Sequence, residues 1–534
     1  MKKTWRILVS MVLMAALCLP MAGLAEGIPG EEILARDYSE HLVIDWPVLE
    51  VEQGYDYNHG NACFEWWTSS FNMEMNIIPL SWETFEQNIT IWTEAADLPD
   101  QVNMWDPFRY DKAKNWAEQG LVKEWPKDWR ERYPYLSAVA DASPANKHYE
   151  EFFGGMYYFF RPIFASNYPA DTFVDHTSIY IRTDWAEQAG YDLSRNNETG
   201  LMTISEYYAY CKAVKDAGLC EYPSYDASMN LGYLLSKTCE ADGCIQQAFY
   251  KGADGKYHWG PAEEETGIRK NLRIMNQAYR DGLIYPEFYT VKSEEGQNYF
   301  TVTGTAASAY ASAAVTNVAA RIKEFETNQG MNFWEHCNLY AITDDEGVHH
   351  YDPSTNYWTV NFLAPDISDE KLDRILSMMD FGCSKMGVLT RNMGLYGVDW
   401  ELDADGNPVS LISEEYASVN EKYPNTTGAL EGVGALLDDF AMINPLQPKA
   451  IRDWLAGSYK ARSAVASCRG EEPDWAFLDY SSILLSQASI IYYDEYAYLI
   501  AKEGDFDQNY DDWVKEKMVL IQPVLDELNA NLAN

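Results

Sequence analysis

Basic residues are scarce in this chain. Its 534 residues include 40 Lys and Arg against 82 Asp and Glu, a net charge of −42. Such a surface repels phosphate backbones and anionic lipid, which argues against nucleic acid as a partner and against direct binding to a membrane surface. Histidine is sparse too, with eight residues scattered along the sequence. His349-His350 falls in a polar loop beside Gly347 and is expected at the surface. No HExxH, GxSxG, P-loop or strand-linked GxGxxG is present. The common metalloprotease, serine-hydrolase, nucleotide and dinucleotide frameworks are thereby excluded. The nine cysteines form neither a CxxC nor a paired CxxxH, so the usual zinc spacings are missing as well. Only Cys239 and Cys244 are close enough to suggest a local bridge. Past the N-terminus no segment reaches the ~18 uninterrupted apolar residues that a spanning helix needs.

The N-terminus itself reads MKKTWRILVSMVLMAALCLPMAGLAEG. Lys2, Lys3 and Arg6 precede the apolar stretch 7–19, and Gly23-Leu24-Ala25 supplies small residues for cleavage. This is the pattern of a secretory signal peptide over residues 1–25. Cys18 raises lipid attachment as an alternative, although Leu17 before it is larger than such sites favour. The expectation is a secreted or cell-surface protein, outside the cytoplasmic membrane and not inserted in it. Losing the leader makes the charge three units more negative.

Paired carboxylates carry no signal among 82 acids, because some pair falls at any spacing. Glu401–Gly406 opens like a calcium loop, but the twelfth position is Ile412, and the bidentate acid is missing. Ala404-Asp405-Gly406-Asn407 reads as a hairpin turn instead. No catalytic residue, metal ligand or cofactor site is identified.

Periodicity is more informative. Residues up to about Tyr57 look irregular. A helix is expected over 61–72, then a strand through Met73, Met75 and Ile77, with Ser81 capping a helix that carries Phe85, Ile89 and Trp92. A strand at Gln101–Trp105 and a helix over 109–119 follow. The βαβα order argues for a sheet with parallel strands and flanking helices. Thr177–Arg182 alternates as a strand. Thr203-Ile204-Ser205-Glu206 is a capping box. Further helices are expected over 264–281 and 369–381 and through most of the last ~80 residues.

Aromatic content is high: 18 Trp, 38 Tyr and 20 Phe. Most aromatics fill cores. Position singles out a few. Trp66 and Trp67 are adjacent on a helix and cannot both face one core. Trp105-Asp106 ends a strand. Tyr357-Trp358 follows a Pro-Ser-Thr-Asn loop. Flat rings cover the C–H face of a sugar, while Asp, Asn and Arg bond its hydroxyls.

Five local patterns in order now support a resemblance. They are Asp97-Leu98-Pro99-Asp100 before a strand, an aromatic turn and Glu118-Gln119-Gly120-Leu121-Val122; Tyr157–Pro162 followed by IYIRTDWAEQAGYD; AYRDGLIYPEF at 278–288; FTVTGTAA at 300–307; and Tyr396-Gly397-Val398-Asp399-Trp400. Together they resemble bacterial extracellular solute-binding proteins of family 1, the carbohydrate-type receptors of ABC importers, in their large lipoprotein-like Gram-positive branch. The chain departs from the pattern at Thr305 and in the small run Ala311–Val315, which alters the C-lobe side.

The resemblance implies an α/β fold of two lobes, periplasmic-binding-protein-like, with a multi-strand hinge, an inter-lobe cleft and a helical C-terminus. The N-terminal lobe would hold 33–165 plus about 338–400. The C-terminal lobe would hold 166–337 plus about 401–534. It implies a monomeric, non-enzymatic receptor that passes an oligosaccharide, or another small solute, to permease subunits. Trp66, Trp105 and Trp358 are the expected stacking platforms, with Tyr357 beside them. Asp106 is the expected hydroxyl acceptor and Arg161 a donor. Trp185 and Trp400 are expected to pack. A secreted carbohydrate-active enzyme and a peptide receptor on the same fold are the rival readings.

Overall fold

A computed structural model describes residues 27–49, 54–81, 84–105, 110–162, 177–240, 246–312, 315–350, 357–412, 416, 419–430, 432–434, 445–467 and 473–532. Of Trp105 and Trp358 it describes the backbone alone. In chain order the strands are β1 (Leu42–Leu49), β2 (Met73–Leu80), β3 (Gln101–Trp105), β4 (Phe159–Pro162), β5 (Thr177–Arg182), β6 (Leu201–Thr203), β7 (Phe249–Lys251), β8 (Tyr257–Trp259), β9 (Ser308–Ser312), β10 (Cys337–Thr343), β11 (Tyr357–Leu363), β12 (Trp400–Leu402) and β13 (Pro408–Ser410). The described residues form two compact units, one drawn from the chain up to Phe164 and from Thr355–Lys449, the other from Ala165–Ser354 and from Ala450 onward.

In the first unit β1 and β2 pair in parallel, and β11 lies between β3 and β4, antiparallel to both. The expected parallel sheet is therefore mixed. The last strand to arrive comes from residue 357 and runs against its neighbours. The N-terminal stretch is not irregular either, because β1 spans eight residues of it. Pro47 and Pro79 lie inside the β1–β2 pair, where proline argues against a strand on sequence grounds.

Helix Ala62–Ser70 is capped by Asn61, whose side chain accepts from Phe64 N, and it buries Phe64 and Trp67. Ser81 does not cap the next helix. That helix begins at Phe85 after Thr84, and the Ser81 hydroxyl bonds the Thr84 hydroxyl instead. Buried Asp380 accepts from the backbone N–H of Tyr135 and Leu136, so the helix Asp369–Gly382 fixes the start of Pro134–Ala142. The hairpin reading of residues 404–407 matches the geometry. Leu402 faces Pro408, and Asp403 Oδ1 accepts from Asp405 N and Asn407 N.

The second unit has the sheet order β6-β10-β5-β9. The capping box at Thr203 forms in full: the Thr203 hydroxyl accepts from Glu206 N at 3.2 Å, and Glu206 accepts from Thr203 N at 2.9 Å. His349 is fully buried, with Nδ1 2.6 Å from Ile342 O, and so is not the surface residue its polar neighbours suggested. Trp400, in the first unit, packs as expected: it is buried and donates its indole N–H to Gly394 O.

The later lobe boundaries differ from the expected ones. β10 pairs with β5 and β6, so residues 338–350 belong to the second unit rather than the first. The described residues between 401 and 449 belong to the first unit. There Lys422 and Tyr423 bond buried Asp399, and Trp46 donates to Ala429 O. These contacts tie the segment to the unit that contains β1.

One buried acid in the second unit gives a pH-dependent prediction. Asp226 Oδ1 accepts from Met229 N at 2.8 Å, and burial pushes its carboxyl up to about 7. A Cβ at Gly296 would lie 2.0 Å from Asp226 Oδ2, so glycine is needed there. The folded value lies above the ordinary 3.8, so the stabilising contribution is full below about pH 3.8 and is lost as pH rises through about 7. Asp226→Asn keeps the Oδ1 acceptor and removes the charge. It is expected to raise the melting temperature by about 2–4 °C at pH 8 and to match wild type near pH 4. Melting curves across that range check it.

Candidate functional site

The β3–β11–β4 sheet brings most of the expected residues to one end. β3 finishes at Trp105, β4 finishes with Arg161 and Pro162, and β11 begins with Tyr357 and Trp358. Thr359 faces Trp105 on one side and Arg161 on the other, so the three backbones form one row across the sheet. The register slips between Tyr357 and Thr359: Tyr357 faces Pro162, and Thr359 faces Arg161. Trp358 is therefore the extra residue of a β-bulge. Bulges occur beside functional sites because they re-aim a side chain and end the pairing. Nothing in the sequence marks this one.

Arg161 is fully buried. Tyr357 is half-buried, and its ring meets Phe160 edge-on at 5.1 Å. Asp106 lies outside the described residues. Trp66 goes elsewhere. It is half-buried, and its ring packs on Trp67 and on Phe381, both at 6.0 Å. Trp67 shares the Phe381 contact at 5.0 Å. Two adjacent helical residues thus flank one phenylalanine, one deep and one at the rim, and Trp66 does not turn to a separate surface.

Strand alternation gives this sheet two different faces. Val102, Phe160, Val360 and Phe362 are buried on one face of the sheet. That face is the hydrophobic core: the Phe362 ring meets Trp116 and Tyr158. The other face carries Gln101, Asn103, Arg161, Thr359 and Asn361, all buried, with Phe159 opposite Asn361 and Leu363 opposite Gln101. Sequence reasoning named only Arg161 among these. The signal was available in the matching patterns QVN and TVN, where polar residues alternate with Val.

A cavity of about 470 Å³ lies on the N-terminal side of β4, between Trp125, Trp129, Lys147 and Gly155. None of the six expected residues lines it. Two of its lining acids are already engaged, Glu124 with Lys127 and Glu150 with Arg130. Among the described residues no cluster of three His, Cys, Asp or Glu side chains could hold a metal ion, and no helix is long and apolar enough to cross a membrane.

No family model matches the chain, and no curated protein does. Solved structures do. The S. pneumoniae ABC-transporter substrate-binding protein FusA, in complex with kestose, is 14% identical over 92% of this chain and 100% of its own, with a TM-score of 0.61. The HMO-binding ABC-transporter-associated solute-binding protein of Bifidobacterium longum infantis is 14% identical over 91% of this chain and 98% of its own, at 0.60. The alginate-binding protein AlgQ2 is 15% identical over 92% and 98%, at 0.58. Matches that span both units and nearly the whole of each partner establish the architecture: the chain has the two-lobe, periplasmic-binding-protein-like α/β fold of ABC-transporter substrate-binding proteins.

Proposed function

We propose that this chain is a non-catalytic receptor that captures an oligosaccharide at the strand-end face of its first unit and delivers it to the permease of an ABC importer. The observation that carries the proposal is the convergence of Trp105, Arg161, Tyr357 and the bulged Trp358 at one end of the β3–β11–β4 sheet. Trp105 and Trp358 serve as stacking platforms for the apolar faces of sugar rings. Asp106 accepts from hydroxyls, and Arg161 donates. The named ligands of the similar structures, kestose, HMO and alginate, are all carbohydrates, which supports the same ligand class here. The receptor works as a monomer outside the cytoplasmic membrane, released after its signal peptide or anchored through Cys18.

Ligand that binds only the folded state raises the melting temperature by mass action. A panel of mono- and oligosaccharides, set against peptides, is therefore the direct test. At least one oligosaccharide is expected to shift the melting temperature by several degrees at saturating concentration. A shift with peptides alone overturns the ligand class. Release of shortened glycans during incubation overturns the non-catalytic assignment.

A further inference from the structure

The polar face of the β3–β11–β4 sheet holds hydrogen-bonding capacity that the described residues leave unused. Gln101 Nε2 donates to Asn361 Oδ1 at 2.7 Å. Among the described residues, Gln101 Oε1, Asn361 Nδ2, both side-chain polar atoms of Asn103 and the Thr359 hydroxyl have no partner. All four residues are at most 2% exposed. Register places them together: Asn103 faces Asn361, and Thr359 sits one row further out, in the row of Trp105 and Arg161. The inner end is closed by backbone at Gly432, where a Cβ would lie 3.1 Å from Gln101 Nε2 and 3.2 Å from Asn361 Oδ1. The outer end runs toward the strand ends.

Buried polar groups without partners are costly and rare in native proteins, and each calls for a role. Four on one face, in three successive rows that run toward the end where the aromatic residues gather, call for a shared one. We infer that Asn103, Thr359 and Asn361 form the specificity floor of the solute site and read the hydroxyls of an uncharged sugar unit. The inference rests on the oligosaccharide reading above and narrows it. Amides and a hydroxyl both donate and accept, as sugar hydroxyls do, and none of the three is charged. The chain's net charge of −42 also opposes a polyuronate. A dry polar floor discriminates strongly, because a solute lacking the matching hydroxyl leaves an amide unpaired.

The test uses two near-isosteric variants of the full-length protein, Thr359→Val and Asn103→Leu. The probes are neutral oligosaccharides and, in parallel, oligouronates of the same length. Wild type is expected to prefer the neutral series. Each variant is expected to lose about tenfold or more in affinity. The ligand-free melting temperature should hold or rise, since each change removes a buried group that had no partner. Wild-type affinity in Thr359→Val and in any folded Asn103→Leu overturns the inference, whatever the melting temperatures do. Equal or tighter binding of oligouronates overturns the uncharged class. Failure of wild type to bind any carbohydrate is a different result: it overturns the proposed function and takes this inference with it.

Discussion

Trp105→Ala is expected to weaken oligosaccharide binding by at least about 30-fold while leaving the unfolding transition within about 2 °C of wild type. The first half follows from what a stacked indole contributes. Truncating a central aromatic anchor of a binding site commonly costs 2 kcal/mol or more, which is well over tenfold in affinity. The second half follows from position. Trp105 is the last residue of β3, and its backbone faces Thr359, not the row of Val102, Val360 and Phe362 that packs the core. Calorimetric titration with whichever oligosaccharide gives the largest thermal shift measures the first effect, and scanning calorimetry the second. If the variant unfolds well below wild type, Trp105 closes the core and the strand-end proposal loses its main platform. If it folds and binds normally, the ligand lies elsewhere. Trp358→Ala tests the neighbouring bulge in the same way. A smaller loss is expected there, because in the proposed site Tyr357 offers a second aromatic surface next to it in the chain.

This site was only half legible in the sequence. Gln101–Trp105 stood out as a strand because a Pro-Asp turn precedes it and its residues alternate. Its partner β11 did not, although TVNFL alternates just as cleanly. β11 meets β3 roughly 250 residues along the chain, and that pairing is a tertiary fact that no local pattern encodes. The Trp358 bulge was invisible for the same reason, since a bulge is a property of two strands in register. The polar face went unread for a different reason. Period-two alternation tells which residues share a face, and a polar face normally meets water. It does not tell what covers that face. Here Gly432 closes its inner end, and the residues on it are buried. Trp66 shows the converse error. Adjacency on a helix excludes one shared direction, but a large ring such as Phe381 can be reached from two.

The C-terminal helices give the other large effect. Trp259, on β8, is fully buried and donates its indole N–H to the Tyr492 hydroxyl at 2.7 Å. The Tyr492 hydroxyl in turn donates to Gln247 O, and the Trp513 ring lies 5.5 Å from Trp259. Tyr257 N donates to Asn529 Oδ1, and Asn529 Nδ2 returns a bond to Tyr257 O. One short hairpin, β7–β8, is therefore fastened to both Tyr492–Ala501 and Phe506–Asn531. The last helices are part of the second unit's core, and the unit should not hold without that junction. Trp259→Ala is expected to cost about 3–5 kcal/mol from lost burial and the cavity left behind. For a unit of this size that lowers the melting temperature by roughly 8–15 °C. Trp259→Phe should recover more than half of the loss, because it refills most of the cavity and gives up the hydrogen bond alone. Val519→Ala, at a position 74% exposed on the same terminal helix, should change the transition by less than about 2 °C. If Trp259→Ala melts like Val519→Ala, the terminal helices are an appendage and the core of the second unit ends before them.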